Sequence, residues 1–317
     1  MANFTGLAAA RHALLQAQGW DVEARGLFGA PPITVIVGDE VHVSLLKALS
    51  MLGLGRERVV RVPVDGQGRM IAANLPQIEG PTVVCLQAGN VSTGAFEPAE
   101  EIASRLQGTG TWIYIDGAFG LWAAASPSRR HLARGVEKAD SLATDAHKWL
   151  NVPYDSGLVI VRDGRNLNAA MSANAAYLLD GETRDPHLFV PEISRRARGI
   201  EIWAALRSLG RAGLADLVDR CCDHARQFAV RGGPGSRRPP IATSPEAWTP
   251  SCASRQKFNR RPNGSLQLAP RSILKLPSTS TGAPISWSAS YSSSWPHTSR
   301  WTQALPSRTA YLQRVPG

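Results

Sequence analysis

Residues 141–150, Ser-Leu-Ala-Thr-Asp-Ala-His-Lys-Trp-Leu, are the segment from which the rest of this 317-residue chain is interpreted. A short apolar run leads through polar residues to Lys148, which stands between His147 and an apolar Trp-Leu pair. A nucleophilic lysine needs a lowered pKa and a neighbour that handles protons, and an apolar wall and a histidine supply both. A lysine that follows a strand is more often a solvated surface residue, so other residues must decide between these interpretations.

Runs rich in β-branched residues alternate with segments of helical periodicity through much of the chain. We predict strands at 33–37, 58–64, 82–86, 111–115, 141–143 and 158–161. We predict helices at 4–18, 42–52, 97–107, 128–136, 200–209 and 214–228, with a polar loop at 175–190. The alternation predicts an α/β fold with a mostly parallel sheet covered on both faces.

Several polar residues follow predicted strands directly. These are His42, the polar loop 87–94, Asp116 and Lys148. Because ligands of open α/β sheets bind at the carboxyl ends of the strands, we expect these residues to lie together. Each also has a plainer interpretation, since an aspartate often caps the next turn and a lone histidine often caps or packs a helix.

The net charge of +10 suggests an acidic partner, but its distribution argues against one. From Arg231 onwards the chain contains 12 of the 35 Lys and Arg residues and only one of the 25 acidic residues, Glu246. This segment also has 16 Ser and 12 of the 22 Pro. We therefore predict a domain at 1–230 and a basic Ser/Pro-rich tail at 231–317, which is either disordered or an out-of-frame reading of a GC-rich gene. Its arginines are scattered without recurring aromatics, which makes nucleic-acid binding a poor explanation.

The remaining composition points to a reduced compartment. Two of the four cysteines, Cys221 and Cys222, are adjacent, and no spacing typical of metal ligands occurs, so we predict no metal. No apolar run is long enough to span a membrane, and the N-terminal residues lack the basic and apolar regions of a signal peptide. We expect a cytoplasmic protein with no membrane partner.

These residues resemble the pyridoxal-phosphate-dependent decarboxylases of group II, which include the aromatic-amino-acid, histidine and glutamate decarboxylases. The family's lysine signature is a serine, a large apolar residue, five further residues, the lysine and two apolar residues. This sequence has Ser141 and Leu142, then Lys148, then Trp149 and Leu150. The resemblance spans about residues 1–230 and implies the large domain of the aspartate-aminotransferase-like fold, called fold type I, incomplete at both ends.

Further blocks match in the same order along the chain. The segment Asp116-Gly117-Ala118 resembles the family's Asp-x-Ala, His42 matches a histidine that stacks on the cofactor, and 87–96 matches a Gly- and Thr-rich loop. Tyr154 stands at the family spacing after the lysine, whereas Ser156 replaces the usual Cys or Ala.

The resemblance implies pyridoxal 5'-phosphate as cofactor and an L-amino acid as substrate. Lys148 would form the Schiff base, Asp116 would keep the pyridine nitrogen protonated, and Ala118 would let the ring lie flat. His42 would stack on the ring, His147 would contact substrate or cofactor, and Asp145 would orient the phosphate side. The intact family is expected to form homodimers.

Three departures from the family qualify this expectation. The family has a Ser/Gly-rich phosphate loop just before an Ala-Asn pair. Ala2-Asn3 is that pair here, so Asn3 belongs to the cofactor-binding motif while the phosphate loop itself is missing. The small domain should begin where the basic tail begins, and 178–186 lacks the tyrosine that often delivers a proton. We therefore predict weak or no activity. Two alternatives stay open: another lyase or desulfurase of the same fold, and a non-catalytic remnant or basic interaction protein.

Overall fold

The computed structural model describes residues 1–173 and 185–231. Within them, one sheet has the strand order β2-β1-β3-β4-β5-β6, and all neighbours are parallel except β5 and β6. The predicted α/β fold with a mostly parallel sheet is therefore confirmed. The strands are β1 (Thr34–Gly38), β2 (Val60–Val62), β3 (Thr82–Gln87), β4 (Trp112–Asp116), β5 (Ser141–Asp145) and β6 (Gly157–Val161).

The described part contains helices at most of the predicted positions. They are α1 (Ala2–Gln16), α2 (Val22–Arg25), α3 (Val43–Met51), α4 (Ala99–Arg105), α5 (Gly164–Met171) and α6 (Gly199–Arg231). The short helices α2 and α5 were not predicted. The two helices predicted at 200–209 and 214–228 are joined in α6, which kinks at Gly210, where φ is 60°.

The helix predicted at 128–136 is wrong. This segment contains the short 3-10 turn Arg130–Ala133, and a second turn, Val136–Lys138, follows it. Gly135 separates them with a left-handed φ of 89°, and a Cβ there would lie 2.2 Å from the backbone nitrogen of Glu100. The chain is thus bent by close contact with α4, which helical periodicity alone does not reveal.

The core lies on both faces of the sheet, as predicted from the alternation of strands and helices. Alternate side chains of one strand point to opposite faces, so Val83 and Tyr114 pack with α1, α3 and α5, whereas Val84 and Ile115 pack with α4. Burying each such side chain contributes about 1.5–3 kcal/mol. Because the central strands are covered on both faces, their ends have fixed positions relative to one another.

Strand register brings the predicted polar residues to one edge. Gln87 at the end of β3 pairs with Asp116 at the end of β4, and Asp116 pairs with Ala143 of β5. The predicted convergence after the carboxyl ends of the strands is therefore confirmed for these elements.

Several segments lie outside the described residues. The tail from 232 onwards, most of the loop predicted at 175–190 and the part of 178–186 up to residue 184 are among them. In the described part, no helix has the length and apolar character needed to cross a membrane.

The buried residue Glu97 forms hydrogen bonds with the end of β3. Its Oε2 accepts a hydrogen bond from the backbone N–H of Gln87 at 3.0 Å, and its own N–H donates to the Gln87 carbonyl. Burial raises the pKa of Glu97 to about 8, although backbone hydrogen bonds from Gln87 and Met70 oppose the rise. The folded chain therefore holds this proton more tightly than the unfolded chain does.

We predict that Glu97 makes the protein less stable as pH rises from about 4.5 to about 8. In that range the unfolded chain has lost the proton and the folded chain keeps it, so the free energy of unfolding falls by at most about 1.4 kcal/mol per pH unit. Glu97→Gln should remove this slope, as measured by urea unfolding between pH 5 and 9. The exposed Glu79→Gln is the matched control, and an unchanged slope in Glu97→Gln would contradict the assignment.

Close backbone contact at Gly120 generates a second prediction. A Cβ at this residue would lie 2.4 Å from the Ala88 carbonyl oxygen, which accepts the Gly120 N–H at 2.9 Å. Gly120→Ala should therefore lower the free energy of unfolding by about 1–3 kcal/mol. Gly66→Ala, where a Cβ meets nothing within 4 Å, is the control. Equal free energies of unfolding for the two variants would contradict the prediction, because the backbone around residue 120 would then have moved to accommodate the Cβ.

Candidate active site

Asp116 is the most buried charged group of the predicted site, with 6% of its surface exposed. Its Oδ1 accepts the Ala118 N–H at 3.1 Å, and its Oδ2 accepts an N–H of the Asn3 amide at 3.0 Å. Burial raises the pKa of Asp116, while these two hydrogen bonds and the charges of Lys148 and His42 oppose the rise. The turn-capping role weighed from sequence is thus present, together with contacts that a simple cap does not need.

Asn3 lies at the start of α1 and contacts three side chains. Besides Asp116, its Nδ2 donates to Ser44 Oγ at 3.2 Å, and its Oδ1 accepts from the Tyr114 hydroxyl at 2.8 Å. The amide is therefore directed at the strand end and at the start of α3.

His42 caps α3 through its ring. Its Nδ1 accepts the Ser44 N–H at 3.3 Å and lies 2.7 Å from Ser44 Oγ. The helix-capping alternative considered from sequence is what these contacts show. Stacking on a cofactor stays a prediction, and the two roles are compatible because the cap uses a ring edge and stacking uses a ring face.

Lys148 lies in the turn after β5 and is only partly exposed. Its Nζ is 2.9 Å from Asp145 Oδ2 and 4.2 Å from the centre of the Phe119 ring. The surface-lysine interpretation therefore does not describe this side chain. Asp145 contacts the ammonium group of Lys148 directly, and its expected role in orienting the phosphate side stays a prediction.

His147 faces the same acidic side chain. Its Nε2 is 3.7 Å from Asp145 Oδ2, and its Nδ1 lies 2.9 Å from the nitrogen and 2.6 Å from the carbonyl oxygen of Ser156. The ring also lies against Tyr154, with centroids 4.3 Å apart. These contacts fix the ring next to the lysine, as the sequence order predicted.

Backbone contacts join the loop after β4 to the end of β5. The Gly117 N–H donates to the Ala143 carbonyl at 2.8 Å, and the Asp145 N–H donates to the Ala118 carbonyl at 3.3 Å. A Cβ on Gly117 would lie 2.8 Å from Leu121 Cβ. The small residues of this loop thus allow Asp116 and Lys148 to lie in adjacent loops with little room for movement.

The structure brings together the predicted residues Asn3, His42, Asp116, Ala118, Asp145, His147 and Lys148 at one sheet edge. Sequence reasoning missed Tyr114, Ser44 and Phe119. A signal for Tyr114 existed, since it stands two residues before Asp116 and so shares its face of the strand. A cavity of about 920 Å³ beside Glu97 is lined by none of these seven residues, although Ala95 and Phe96 of the predicted loop 87–96 contribute to it.

Comparison with known proteins agrees with this geometry. The model of the pyridoxal-dependent decarboxylase conserved domain matches residues 1–231. The acidic amino acid decarboxylase GADL1 of Bos taurus is 34% identical over 217 residues, which cover 63% of this chain and 41% of that protein. The aspartate 1-decarboxylase of Aliivibrio fischeri is 30% identical over 246 residues, covering 72% of this chain and 45% of the relative.

Solved structures give the same result. The crystal structure of mouse CSAD has a TM-score of 0.65 and 29% identity, covering 73% of this chain and 49% of that one. The structure of Oryza sativa TDC with PLP and tryptamine has a TM-score of 0.64 and 27% identity, covering 73% and 50%. These structures confirm the fold type I prediction. The chain spans about half the length of these relatives, and it belongs to the pyridoxal-dependent decarboxylase family.

Proposed function

We propose that this chain provides the cofactor-binding part of a pyridoxal-phosphate-dependent amino-acid carboxy-lyase, with Lys148 as the attachment residue. The observation that carries the proposal is the position of Lys148 and the buried Asp116 in adjacent, hydrogen-bonded loops, close enough for their charges to interact. An amine and a carboxylate are the two groups that a pyridine aldehyde requires from a protein. Family membership supports the same assignment.

The residues present fit the pyridine ring of the cofactor. Asp116 offers a buried carboxylate for the ring nitrogen, and Lys148 offers an amine for the aldehyde carbon. Ala118 has a side chain small enough to leave space beside the ring, and the ring of His42 is partly exposed at the same edge. Phosphate binding is supported less directly, since Asp145 is negatively charged.

When bound, pyridoxal phosphate supplies an electron sink for the bond that breaks at the substrate Cα. Asp116 would hold a proton on the ring nitrogen, which keeps that sink effective. Lys148 would provide its Nζ as the point of attachment for the cofactor, and Asp145 Oδ2, 2.9 Å away, orients this group. The backbone of Ser156 holds the His147 ring in place beside the lysine. In this position His147 would accept or donate protons next to Lys148.

An acidic L-amino acid is the substrate class that we propose. The relatives named above act, by their names, on acidic amino acids and on aspartate, whereas a tryptamine-bound structure is a more distant neighbour. Another lyase or desulfurase of the fold is the alternative, and product analysis separates the two. A homodimer and a cytoplasmic location belong to the proposal as expectations for the intact family.

We predict that pyridoxal phosphate attaches covalently to Lys148. Borohydride reduction followed by peptide mass spectrometry should find the cofactor mass on the peptide containing this residue in the full 317-residue chain. Lys148→Ala should lose the attachment, and the exposed Lys47→Ala on α3 should retain it. Attachment in Lys148→Ala at the level of the unchanged chain would contradict the assignment.

The substrate proposal predicts the outcome of an amino-acid panel. Aspartate, glutamate and cysteine sulfinate should release carbon dioxide and the matching amine faster than tryptophan or histidine does. Products other than an amine would favour the alternative lyase. Cofactor attachment without turnover of any amino acid would instead bear out the weak or absent activity predicted from sequence.

A further inference from the structure

A directed chain of hydrogen bonds surrounds Asp116 on the side of the sheet that carries α1. The Tyr114 hydroxyl donates to Asn3 Oδ1 at 2.8 Å, and Asn3 Nδ2 donates to Asp116 Oδ2 at 3.0 Å. The same nitrogen donates to Ser44 Oγ at 3.2 Å, and Ser44 Oγ lies 2.7 Å from His42 Nδ1. These hydrogen bonds thus link β4 and the first turns of α1 and α3 to the Asp116 carboxylate, the group expected to contact the cofactor.

The directions of the bonds made by Asn3 follow from Tyr114. This side chain has no exposed surface, and burial raises the pKa of its phenol well above the usual value. The hydroxyl therefore stays protonated and acts as the hydrogen-bond donor. The acceptor must then be the carbonyl oxygen of Asn3, which turns the amide nitrogen toward Asp116. Tyr114 therefore decides the orientation of the Asn3 amide.

Asn3 has no donor left for a ligand. A carboxamide has two N–H hydrogens, and here one is directed at Asp116 and the other at Ser44. A direct hydrogen bond from Asn3 to a cofactor phosphate would require one of these contacts to break. Direct contact of Asn3 with the cofactor stays a prediction, and the contacts seen here favour an action through Asp116.

We propose that Asn3 and Tyr114 are positioning residues that hold Asp116 ionised and facing the ring nitrogen of the cofactor. This inference rests on the proposed function, because it assigns the target of Asp116. A hydrogen bond from an amide stabilises a buried carboxylate over its neutral form, and burial alone would favour the neutral acid. Asn3 supplies that bond, and Tyr114 keeps the amide from rotating away.

The first experiment measures the pKa of Asp116 before any cofactor is added. In the full cofactor-free chain with ¹³C-labelled aspartate, the Asp116 carboxyl signal is assigned by its loss in Asp116→Asn and then titrated with pH. Asn3→Leu should raise the pKa of Asp116 by about one unit, the value of one hydrogen bond to a charged group. Tyr114→Phe should shift the pKa in the same direction by less, because the amide remains but is free to turn.

Binding of pyridoxal phosphate is measured next on the same variants. Asn3→Leu should raise the Kd, and the increase should grow as pH falls through the raised pKa of Asp116 and approach about tenfold below it, where ionised Asp116 is scarce in both chains. Asn74→Leu is the control, since Asn74 is exposed and away from the strand ends, and it should change neither quantity.

Each outcome bears on one claim. An unchanged Asp116 titration in Asn3→Leu overturns the positioning role, and weaker binding with an unchanged titration makes Asn3 a direct ligand instead. If Asn3→Leu does not fold, Tyr114→Phe decides by the same two measurements. A shifted titration in a chain whose unchanged form binds no pyridoxal phosphate would support the network around Asp116 and overturn the proposed function.

Discussion

The site depends on a carboxylate that is buried at the end of a central parallel strand. Water does not stabilise the charge of Asp116, so the protein must do so with the Ala118 N–H, the Asn3 amide and the positive charge of Lys148. These partners come from separate parts of the chain and meet only in the folded sheet. The geometry of one charged group thus ties α1, the loop after β4 and the lysine turn together.

The sheet makes this arrangement possible through its register. Covering on both faces fixes β3, β4 and β5 laterally, and their parallel direction brings polar residues to one edge. Glu97 and Gly120 hold the neighbouring loops in place, the first through a buried hydrogen bond and the second through close backbone contact. Stability and chemistry therefore depend on the same loops, as is common where sites are built at strand ends.

Sequence alone predicted the strands and the grouping of Lys148 with Asp116 and His42, because hydrophobic alternation and strand-end positions are local signals. It failed at 128–136, where contact of Gly135 with α4 overrides helical periodicity. The side-chain partners of Asn3 and Asp145 depend on tertiary contacts and could not be read from the sequence, while their roles toward the cofactor stay predictions. The contact of the Tyr114 hydroxyl with Asn3 became visible only when residues distant in sequence were brought together, whereas the helix cap of His42 is a local contact that the sequence already offered.

Asp116 and Lys148 are proposed to form the two ends of a pyridoxal phosphate site. The most direct measurement is the ¹⁵N chemical shift of the ring nitrogen of labelled pyridoxal phosphate bound to the full chain. We expect a protonated nitrogen in the unchanged chain and an unprotonated one in Asp116→Asn, with the cofactor still attached at Lys148 in both. The same shift in both chains, or no bound cofactor in either, would contradict this proposal.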